Sequence, residues 1–355
     1  MYDTDNKRFE NNDEVNRMKK TVWIDIINPS HPLFFNSIIN DLSKDNEIEI
    51  TLRNRGETIK LAKQLLINGK IIGSDYENPI QKTLSIFTRT LNLSIKVPYF
   101  DIALSFENPM SVAVSKIRMK KSILMLDNDL KFKIKRNFIQ SMESYIKKKA
   151  DYVMVPEVCR DLFSKHVKRD KLLTYDGYKE DIYISEYIQD PFFKDKIPFS
   201  DYFVIRPEAF ASFYVKSNES LVSPIIKALT DIGENIVLLP RDKSDKRFLG
   251  GSNVYIPREP LNGLDLIKHS KGVLTGSGTM AREAAIMSKN SASFFPNNNL
   301  LSVDMSLIEK GRMIHSRNVK ILIDHITKNQ IGIFKRDSKK VKNDVINILR
   351  DLISD

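Results

Sequence analysis

The stretch LTGSGTMAREAA, residues 274–285, decides the fold of this chain. An apolar run, GVL at 272–274, leads into two glycines with Ser277 between them, and an alanine-rich segment follows. This order predicts a buried strand, a tight turn and a helix, which together form the repeating unit of an α/β fold. A glycine-containing turn at a helix start forms either a structural corner or a seat for an anion on free N–H groups.

The same strand–turn–helix pattern runs through the first half of the chain. Short apolar runs predict strands at 21–27, 47–53, 101–106, 122–127 and 151–156, and amphipathic segments predict helices at 32–44, 56–69, 109–118 and 131–149. We expect Asn68-Gly69 to close the helix at 56–69. Alternation of this kind predicts a parallel, doubly wound sheet.

The pattern then restarts, which predicts a second sheet. Strands are expected at 201–208, 235–241, 253–257, 272–276 and 290–295, and helices at 217–232, 262–269, 279–288 and 304–310. Two consecutive Rossmann-like domains facing a cleft describe the GT-B architecture. The boundaries that we predict are a disordered leader (1–20), an N-terminal domain (21–180), an interdomain connection (181–200), a C-terminal domain (201–335) and a C-terminal packing helix (336–355).

Composition narrows the class of protein. The chain has 355 residues, of which 41% are hydrophobic and 28% charged, as in soluble globular proteins. No apolar run reaches the about 20 residues that cross a bilayer, and the polar N-terminus does not resemble a secretory signal. Met18 is an alternative start. The single cysteine, Cys159, excludes an internal disulfide and a cysteine-based metal cluster. We expect a cytoplasmic protein.

The net charge of +11 is concentrated in one segment, 116–149, which holds eleven Lys or Arg residues against three acidic ones. Such a segment attracts nucleic acid, anionic lipid or a phosphorylated substrate, or is a solvated helix face. Aromatic residues for base stacking are scarce in it, which disfavours nucleic acid. Phe138, Met142 and Ile146 among the lysines are compatible with peripheral membrane contact.

Ligands of doubly wound sheets bind outside the carboxyl ends of the strands, so the loops that follow strands carry the candidate site. Gly276, Ser277, Gly278 and Thr279 form the turn before the helix at 279–288, where N–H groups and the helix dipole attract phosphate. Glu283 lies one helical turn further, in position to accept hydrogen bonds from a ribose. The alternatives are that Ser277 or Thr279 caps the helix and that Glu283 pairs with a neighbouring cation.

The turn resembles the nucleotide-binding turn of non-hydrolysing UDP-N-acetylglucosamine 2-epimerases. The chain is more similar to a mainly archaeal domain-of-unknown-function family of predicted GT-B-type glycosyltransferases. The pieces that carry this likeness are VWIDIINPSHPLFF (22–35), YDGYKEDIYISEY (175–187), VIRPE (204–208), LTGSGTMAREAA (274–285), SFFP (293–296) and LIEKGRMIH (307–315). The resemblance implies a GT-B fold and a nucleotide-sugar ligand, with UDP the expected nucleotide.

Carried over by position, the resemblance places the diphosphate on 276–279 and the ribose on Glu283. Arg282 stands where the epimerases have a second glutamate. Arg206, in the place of an Arg-rich epimerase motif, would stabilise a leaving nucleoside diphosphate without a metal; the alternative is an ion pair with Glu208. The histidine of that motif is absent, because Val204 and Ile205 precede Arg206, and this counts against epimerase chemistry.

Four residues after first-domain strands are candidate catalytic groups. His31, in NPSHP, is a candidate general base for an acceptor hydroxyl; the alternative is that it orders the loop or caps the next helix. Glu107, Asp127 and Asp129 follow two further strands and would serve as acids or bases in an epimerase, or hold the acceptor in a transferase. No spacing of residues predicts a metal site.

The leading hypothesis is a metal-independent GT-B glycosyltransferase with a nucleotide-diphosphate-sugar donor, a glycan or lipid-linked acceptor and no required cofactor. The alternatives are a nucleotide-sugar 2-epimerase and a catalytically silent nucleotide-sugar-binding protein. A homodimer is a candidate state because epimerases of this fold tend to dimerise, although the sequence shows no dimer face.

Overall fold

The computed structural model describes residues 19–76, 78–130, 138–208, 220–241, 253–259, 261–328 and 332–355. Two sheets, each of parallel strands, organise these residues. The predicted leader lies outside the described residues apart from Lys19 and Lys20. Among the described helices, none is long and apolar enough to cross a membrane.

The first sheet and its helices form the first domain. Its strands are β1 (Thr21–Ile26), β2 (Glu47–Asn54), β3 (Lys70–Ser74), β4 (Ile102–Phe106), β5 (Lys121–Met125), β6 (Tyr152–Pro156) and β7 (Leu172–Tyr175), in the order β3-β2-β1-β4-β5-β6-β7. Its helices are α1 (His31–Leu42), α2 (Thr58–Gln64), α3 (Pro79–Lys96), α4 (Pro109–Ile117), α5 (Phe138–Lys147), α6 (Arg160–Ser164) and α7 (Lys179–Ile184).

The second sheet and its helices form the second domain. Its strands are β8 (Phe203–Arg206), β9 (Ile236–Leu238), β10 (Val254–Tyr255), β11 (Gly272–Thr275), β12 (Asn290–Ser293) and β13 (Ile314–His315), in the order β10-β9-β8-β11-β12-β13. Its helices are α8 (Val222–Asp231), α9 (Gly263–His269), α10 (Gly278–Ile286), α11 (Ser302–Glu309) and α12 (Val319–Lys328), and the last helix is α13 (Ser338–Ser354). Both sheets reverse strand order beside their first strand, which confirms the predicted doubly wound class.

The C-terminal helix α13 returns to the first domain. Its apolar face, with Val345, Leu349 and Leu352, is buried in the same cluster as Ile24 and Phe34 of β1 and α1. Asp181 in α7 fixes the approach to this helix, because its carboxylate accepts hydrogen bonds from the Arg336 guanidinium at 2.8 Å and the Ser338 hydroxyl at 2.7 Å. The hydrophobic periodicity at 337–353 predicts a packing helix, and the structure shows which domain it packs against.

One predicted helix end is wrong. The helix at 56–69 ends at Gln64, well before Asn68-Gly69, and Leu66 beyond it has a positive φ of 57°. Gly69 serves a different purpose: a Cβ there would lie 2.7 Å from the Ile50 side chain and 2.9 Å from the Ile50 carbonyl oxygen. The glycine is needed for close packing on β2 rather than for a helix cap.

Candidate functional site

The turn before α10 lies at the carboxyl edge of the second sheet. Ser277 occupies the N-cap position, but its side chain makes no cap hydrogen bond, while its own N–H donates to the Thr275 hydroxyl at 2.8 Å. The alternative that Ser277 caps the helix through its side chain is therefore wrong. The N–H groups of the first turn of α10 point out of the start of the helix, as does the positive end of the helix dipole.

The two glycines of the turn have different neighbours. A Cβ at Gly276 would lie 2.6 Å from the Cα and 2.8 Å from the backbone nitrogen of Glu208, so the backbones of two strand-end loops touch there. A Cβ at Gly278 would meet the Arg282 guanidinium at 3.1 Å and no backbone. The contact with Glu208 therefore requires glycine at 276, whereas glycine at 278 leaves the start of the helix without a side chain over it.

Arg206 lies beside this turn because β8 and β11 are neighbouring parallel strands and pair Arg206 with Thr275. Its side chain is half-buried and, among the described residues, makes no hydrogen bond or ion pair. The alternative pairing with Glu208 is wrong. The Glu208 carboxylate instead binds the Arg317 guanidinium at 2.9 Å and the Leu221 N–H at 3.0 Å. Arg206 is therefore available to a ligand at the helix tip.

Glu283 lies one turn inside α10, and a residue of the first domain holds its carboxylate. The Tyr183 hydroxyl of α7 donates to its Oε1 at 2.7 Å. Burial is the main reason why the pKa of the Glu283 carboxyl is raised to about 7, and the nearby Glu180 raises this pKa further. The Tyr183 hydrogen bond lowers it by a smaller amount. The carboxylate thus titrates in the physiological range at the junction of the two domains.

Beneath the turn lies a buried group of five charges, the interdomain ion network, made of Asp127, Lys179, Glu180, Arg282 and Asp304. Arg282 is central: its Nε lies 2.8 Å from Glu180 and its Nη1 lies 2.8 Å from Asp304. The Lys179 ammonium lies 2.9 Å from Asp127. The network joins helices of both domains through three carboxylates and two cations. Burial and Asp127 raise the pKa of Glu180, consistent with an excess of negative charge.

The structure buries His31 at the start of α1. Its Nε2 lies 3.1 Å from the Asn28 amide, and the rings of Phe35 and Phe106 pack edge-on against it. Burial, together with the Lys179 ammonium, lowers the pKa of His31 to about 3. The imidazole is therefore neutral near pH 7 and a weak proton acceptor, and its contacts order the loop after β1.

The three first-domain acids are all engaged by protein groups. Glu107 pairs with the Lys147 ammonium and accepts the Asn128 N–H. Lys179 and Arg282 hold the pKa of the Asp127 carboxyl below its usual value despite burial. Asp129 accepts the N–H of Ser302, the first residue of α11, at 3.1 Å and so ties the first domain to a second-domain helix. Arg282 lies between Asp127 and the turn at 276–279, so the structure places Asp127 close to this turn.

Sequence reasoning did not single out the partners of this site. Lys179, Glu180 and Tyr183 come from α7, within the segment YDGYKEDIYISEY that carries part of the family likeness. Two adjacent charges and a tyrosine within this segment are the available signal, but only the packing of α7 against α10 shows their partners. Asp304, in α11, had no local signal.

A cleft also opens after β10, at the same carboxyl edge of the sheet. Its lining includes Tyr255, Ile256, Arg258 and Asn262. Searched over the described ranges, the structure shows no group of three or more His, Cys, Asp or Glu residues placed to hold a metal.

With this geometry in place, comparison with known proteins identifies the family. The model of the family described as a protein of unknown function, DUF354, matches residues 20–355. The chain belongs to this family. A relative is the uncharacterized protein MJ0665 of Methanocaldococcus jannaschii, 25% identical over 318 residues that cover 87% of this chain and 91% of the relative.

Solved structures share the fold at low identity. The UDP-GlcNAc 2-epimerase of Methanocaldococcus jannaschii in complex with UDP-GlcNAc and UDP matches with a TM-score of 0.71 and 16% identity, over 93% of this chain and 99% of that one. The glycotransferase of kitacinnamycin matches with a TM-score of 0.55 and 9% identity, over 95% of each chain. These matches confirm the predicted GT-B-like fold.

Replacing Glu283 by glutamine is expected to stabilise the protein at pH 8 by about 1–2 kcal/mol, allowing for the partial exposure of the carboxylate. The raised pKa of Glu283 means that the folded state holds a proton that the unfolded chain releases above its ordinary pKa of 4.5. Wild-type stability therefore falls as pH rises from about 4.5 to about 7. The amide keeps an acceptor for Tyr183.

Urea unfolding of both proteins at pH 5 and pH 8 measures this effect, with the gain expected to shrink strongly at pH 5. Glu309→Gln, at an exposed position of α11, is the matched control and should change stability little at either pH. A Glu283→Gln protein no more stable than the wild type at pH 8 would contradict the raised pKa.

Proposed function

We propose that this protein is a metal-independent glycosyltransferase of the GT-B type that uses a nucleotide-diphosphate sugar, with UDP the expected nucleotide, for glycan or glycolipid synthesis. One observation carries the proposal: at the carboxyl edge of the second sheet, a helix start that Ser277 does not cap lies together with the Glu283 carboxylate and with Arg206, which has no partner among the described side chains. These groups match the phosphate, the leaving charge and the ribose of a nucleoside diphosphate.

In this proposal the diphosphate binds the N–H groups of Gly278 and Thr279 and the Arg206 guanidinium, while the Ser277 N–H keeps its bond to Thr275. When the glycosidic bond breaks, negative charge grows on the leaving diphosphate, and a fixed cation beside it lowers the barrier. Glu283 accepts hydrogen bonds from the ribose hydroxyls, and the cleft after β10 offers apolar and polar groups to the base. The acceptor would lie on the carboxyl edge of the first sheet.

The engagement of the first-domain acids favours transfer over epimerisation. Epimerisation at a sugar carbon needs groups that take and return a proton, whereas Glu107, Asp127 and Asp129 are bound by Lys147, Lys179 and Ser302. The epimerase remains the second candidate because its fold matches at the higher TM-score.

Calorimetric titration with UDP, GDP, dTDP and UDP-N-acetylglucosamine tests the donor site. We expect one nucleotide to bind, and Arg206→Gln to weaken its affinity by about 10- to 100-fold, as the loss of a charge-assisted hydrogen bond predicts. Arg160→Gln, an exposed cation of the first domain, is the matched control and should leave affinity unchanged. Binding should persist in EDTA.

Absence of binding by every nucleotide would overturn the proposed donor site. The epimerase alternative has its own test, which is incubation with UDP-N-acetylglucosamine in D₂O. Deuterium appearing at C2 of the sugar would establish epimerase chemistry and contradict the transferase assignment. Binding without deuterium uptake, and without transfer to any acceptor, would favour the silent binding protein.

A further inference from the structure

The two oxygens of the Glu283 carboxylate, which the proposed function assigns to the ribose, have different surroundings. Oε1 accepts the hydrogen bond of the Tyr183 hydroxyl at 2.7 Å. Among the described residues, Oε2 has no hydrogen-bond or ion-pair partner, and the side chain is only partly buried. An ionised carboxylate has about four lone-pair positions, so the bond to tyrosine leaves room for two hydroxyl donors of a ligand.

The position of Tyr183 is fixed by packing and by a second contact between the same two helices. Its ring is 5% exposed and belongs to the core cluster of the first domain. Helix α7, which carries it, also binds α10 where Glu180 accepts the Nε of Arg282 at 2.8 Å. Arg282 and Glu283 are neighbours in α10, and Glu180 and Tyr183 lie nearly one turn apart in α7. The tyrosine hydroxyl therefore reaches a carboxylate whose own helix is held against α7.

A hydrogen bond from tyrosine changes a carboxylate in two ways. It restricts rotation about the last side-chain bond, which is otherwise broad, and so sets the direction in which Oε2 points. It also favours the ionised form, which only accepts hydrogen bonds. Titratable groups of two neighbouring elements, α7 and the end of β8, act on the pKa of Glu283. Lys179 and Arg206 lower this pKa, as Tyr183 does, whereas Glu180 raises it.

We propose that Tyr183 is a positioning residue for the ribose, through which the first domain orients the Glu283 carboxylate of the second domain toward the ribose hydroxyls. The donor site is then complete only while α7 packs against α10. This inference rests on the proposed function, because it concerns the same nucleotide site, and it adds a residue of the first domain to that site.

Calorimetric titration with UDP and with its dideoxy analogue, which lacks both ribose hydroxyls, tests this role. The ratio of the two affinities isolates the contribution of the ribose hydroxyls, because the base and the diphosphate are the same. We expect the wild type to bind UDP about tenfold more tightly than the analogue. Tyr183→Phe should reduce this ratio to about twofold and leave the affinity for the analogue unchanged.

Tyr187→Phe is the matched control. The Tyr187 hydroxyl donates to the Asp265 carboxylate at 2.5 Å, so this variant loses the same kind of bond to a different helix, α9. It should keep the wild-type ratio. A double-mutant cycle tests whether the tyrosine acts through the carboxylate. In a Glu283→Ala background, Tyr183→Phe should lower the ratio no further.

The pH dependence of the ratio is a readout that a merely structural tyrosine would not move. The preference for UDP should increase as pH rises through about 7, because the ribose hydroxyls donate to the ionised form of Glu283. Loss of the Tyr183 hydrogen bond raises the pKa of this carboxyl, so the increase should occur at higher pH in Tyr183→Phe. Titration of the diphosphate affects both ligands equally and cancels in the ratio.

A Tyr183→Phe protein with the wild-type ratio and the wild-type pH dependence would overturn this inference and leave the nucleotide site itself intact. An increased ratio would also contradict it, because the tyrosine would then compete with the ribose for the carboxylate. If neither UDP nor the analogue binds the wild type, the proposed donor site fails, and this inference fails with it.

Discussion

Arg282→Met is expected to reduce the free energy of unfolding by about 3–5 kcal/mol, the range for removing one partner of a buried ion pair. Arg282 is 2% exposed, and its guanidinium lies between Glu180 of the first domain and Asp304 of the second. Methionine keeps much of the side-chain volume but leaves both carboxylates buried without this cation. Urea unfolding at pH 7 measures the loss.

Two further variants separate charge from packing. Arg160→Gln removes an exposed arginine that pairs with Glu157, and it should leave the free energy of unfolding nearly unchanged. Combining Arg282→Met with Glu180→Leu and Asp304→Leu should recover most of the loss, because the triple variant removes the unpaired carboxylates. A loss below 1 kcal/mol for Arg282→Met alone would show that the interdomain ion network does not hold the two domains together.

Gly276→Ala is expected to destabilise the protein by about 3 kcal/mol, the upper part of the range for overpacking. The added methyl group would lie 2.6 Å from the Glu208 Cα and 2.7 Å from its Cγ, and a backbone atom has little room to move. Glu208 is itself fixed by Arg317, so the strain spreads to the loop after β8.

Gly278→Ala provides the comparison within the same turn, because its methyl group would meet the Arg282 guanidinium at 3.1 Å and an Asp304 carboxylate oxygen at 3.9 Å, both of which are side-chain atoms. We expect a change below about 1 kcal/mol there. Thermal and urea unfolding of both variants give the two values. Equal losses at the two positions would mean that the turn as a whole, rather than the contact with Glu208, requires glycine.

The two variants also separate packing from ligand binding. If Gly278→Ala folds normally yet binds the nucleotide more weakly than the wild type, the glycine serves the approach of the phosphate to the backbone. Unchanged binding would show that a methyl group at 278 does not obstruct the approach of the phosphate. Either result refines the donor site independently of Arg206.

The alternation of apolar runs and amphipathic segments predicts the doubly wound fold and most of its elements. Elements at 70–100 were not assigned from the sequence. β3 is an edge strand in which Ile72 is the only buried residue, so it lacks a continuous apolar run. α3 presents apolar residues on both faces, which blurs the periodicity that identifies a helix.

By itself the sequence determined the fold class and the position of the turn at 276–279, because strand and helix periods and a glycine turn are local properties. Only the tertiary structure decided what each polar residue does. Three charged residues that follow strands look alike in sequence. In the structure Arg206 has no partner among the described side chains, Glu283 titrates near pH 7 and Arg282 is buried between two carboxylates. These differences arise from burial and from partners supplied by α7 and α11, which are distant along the chain and near in space.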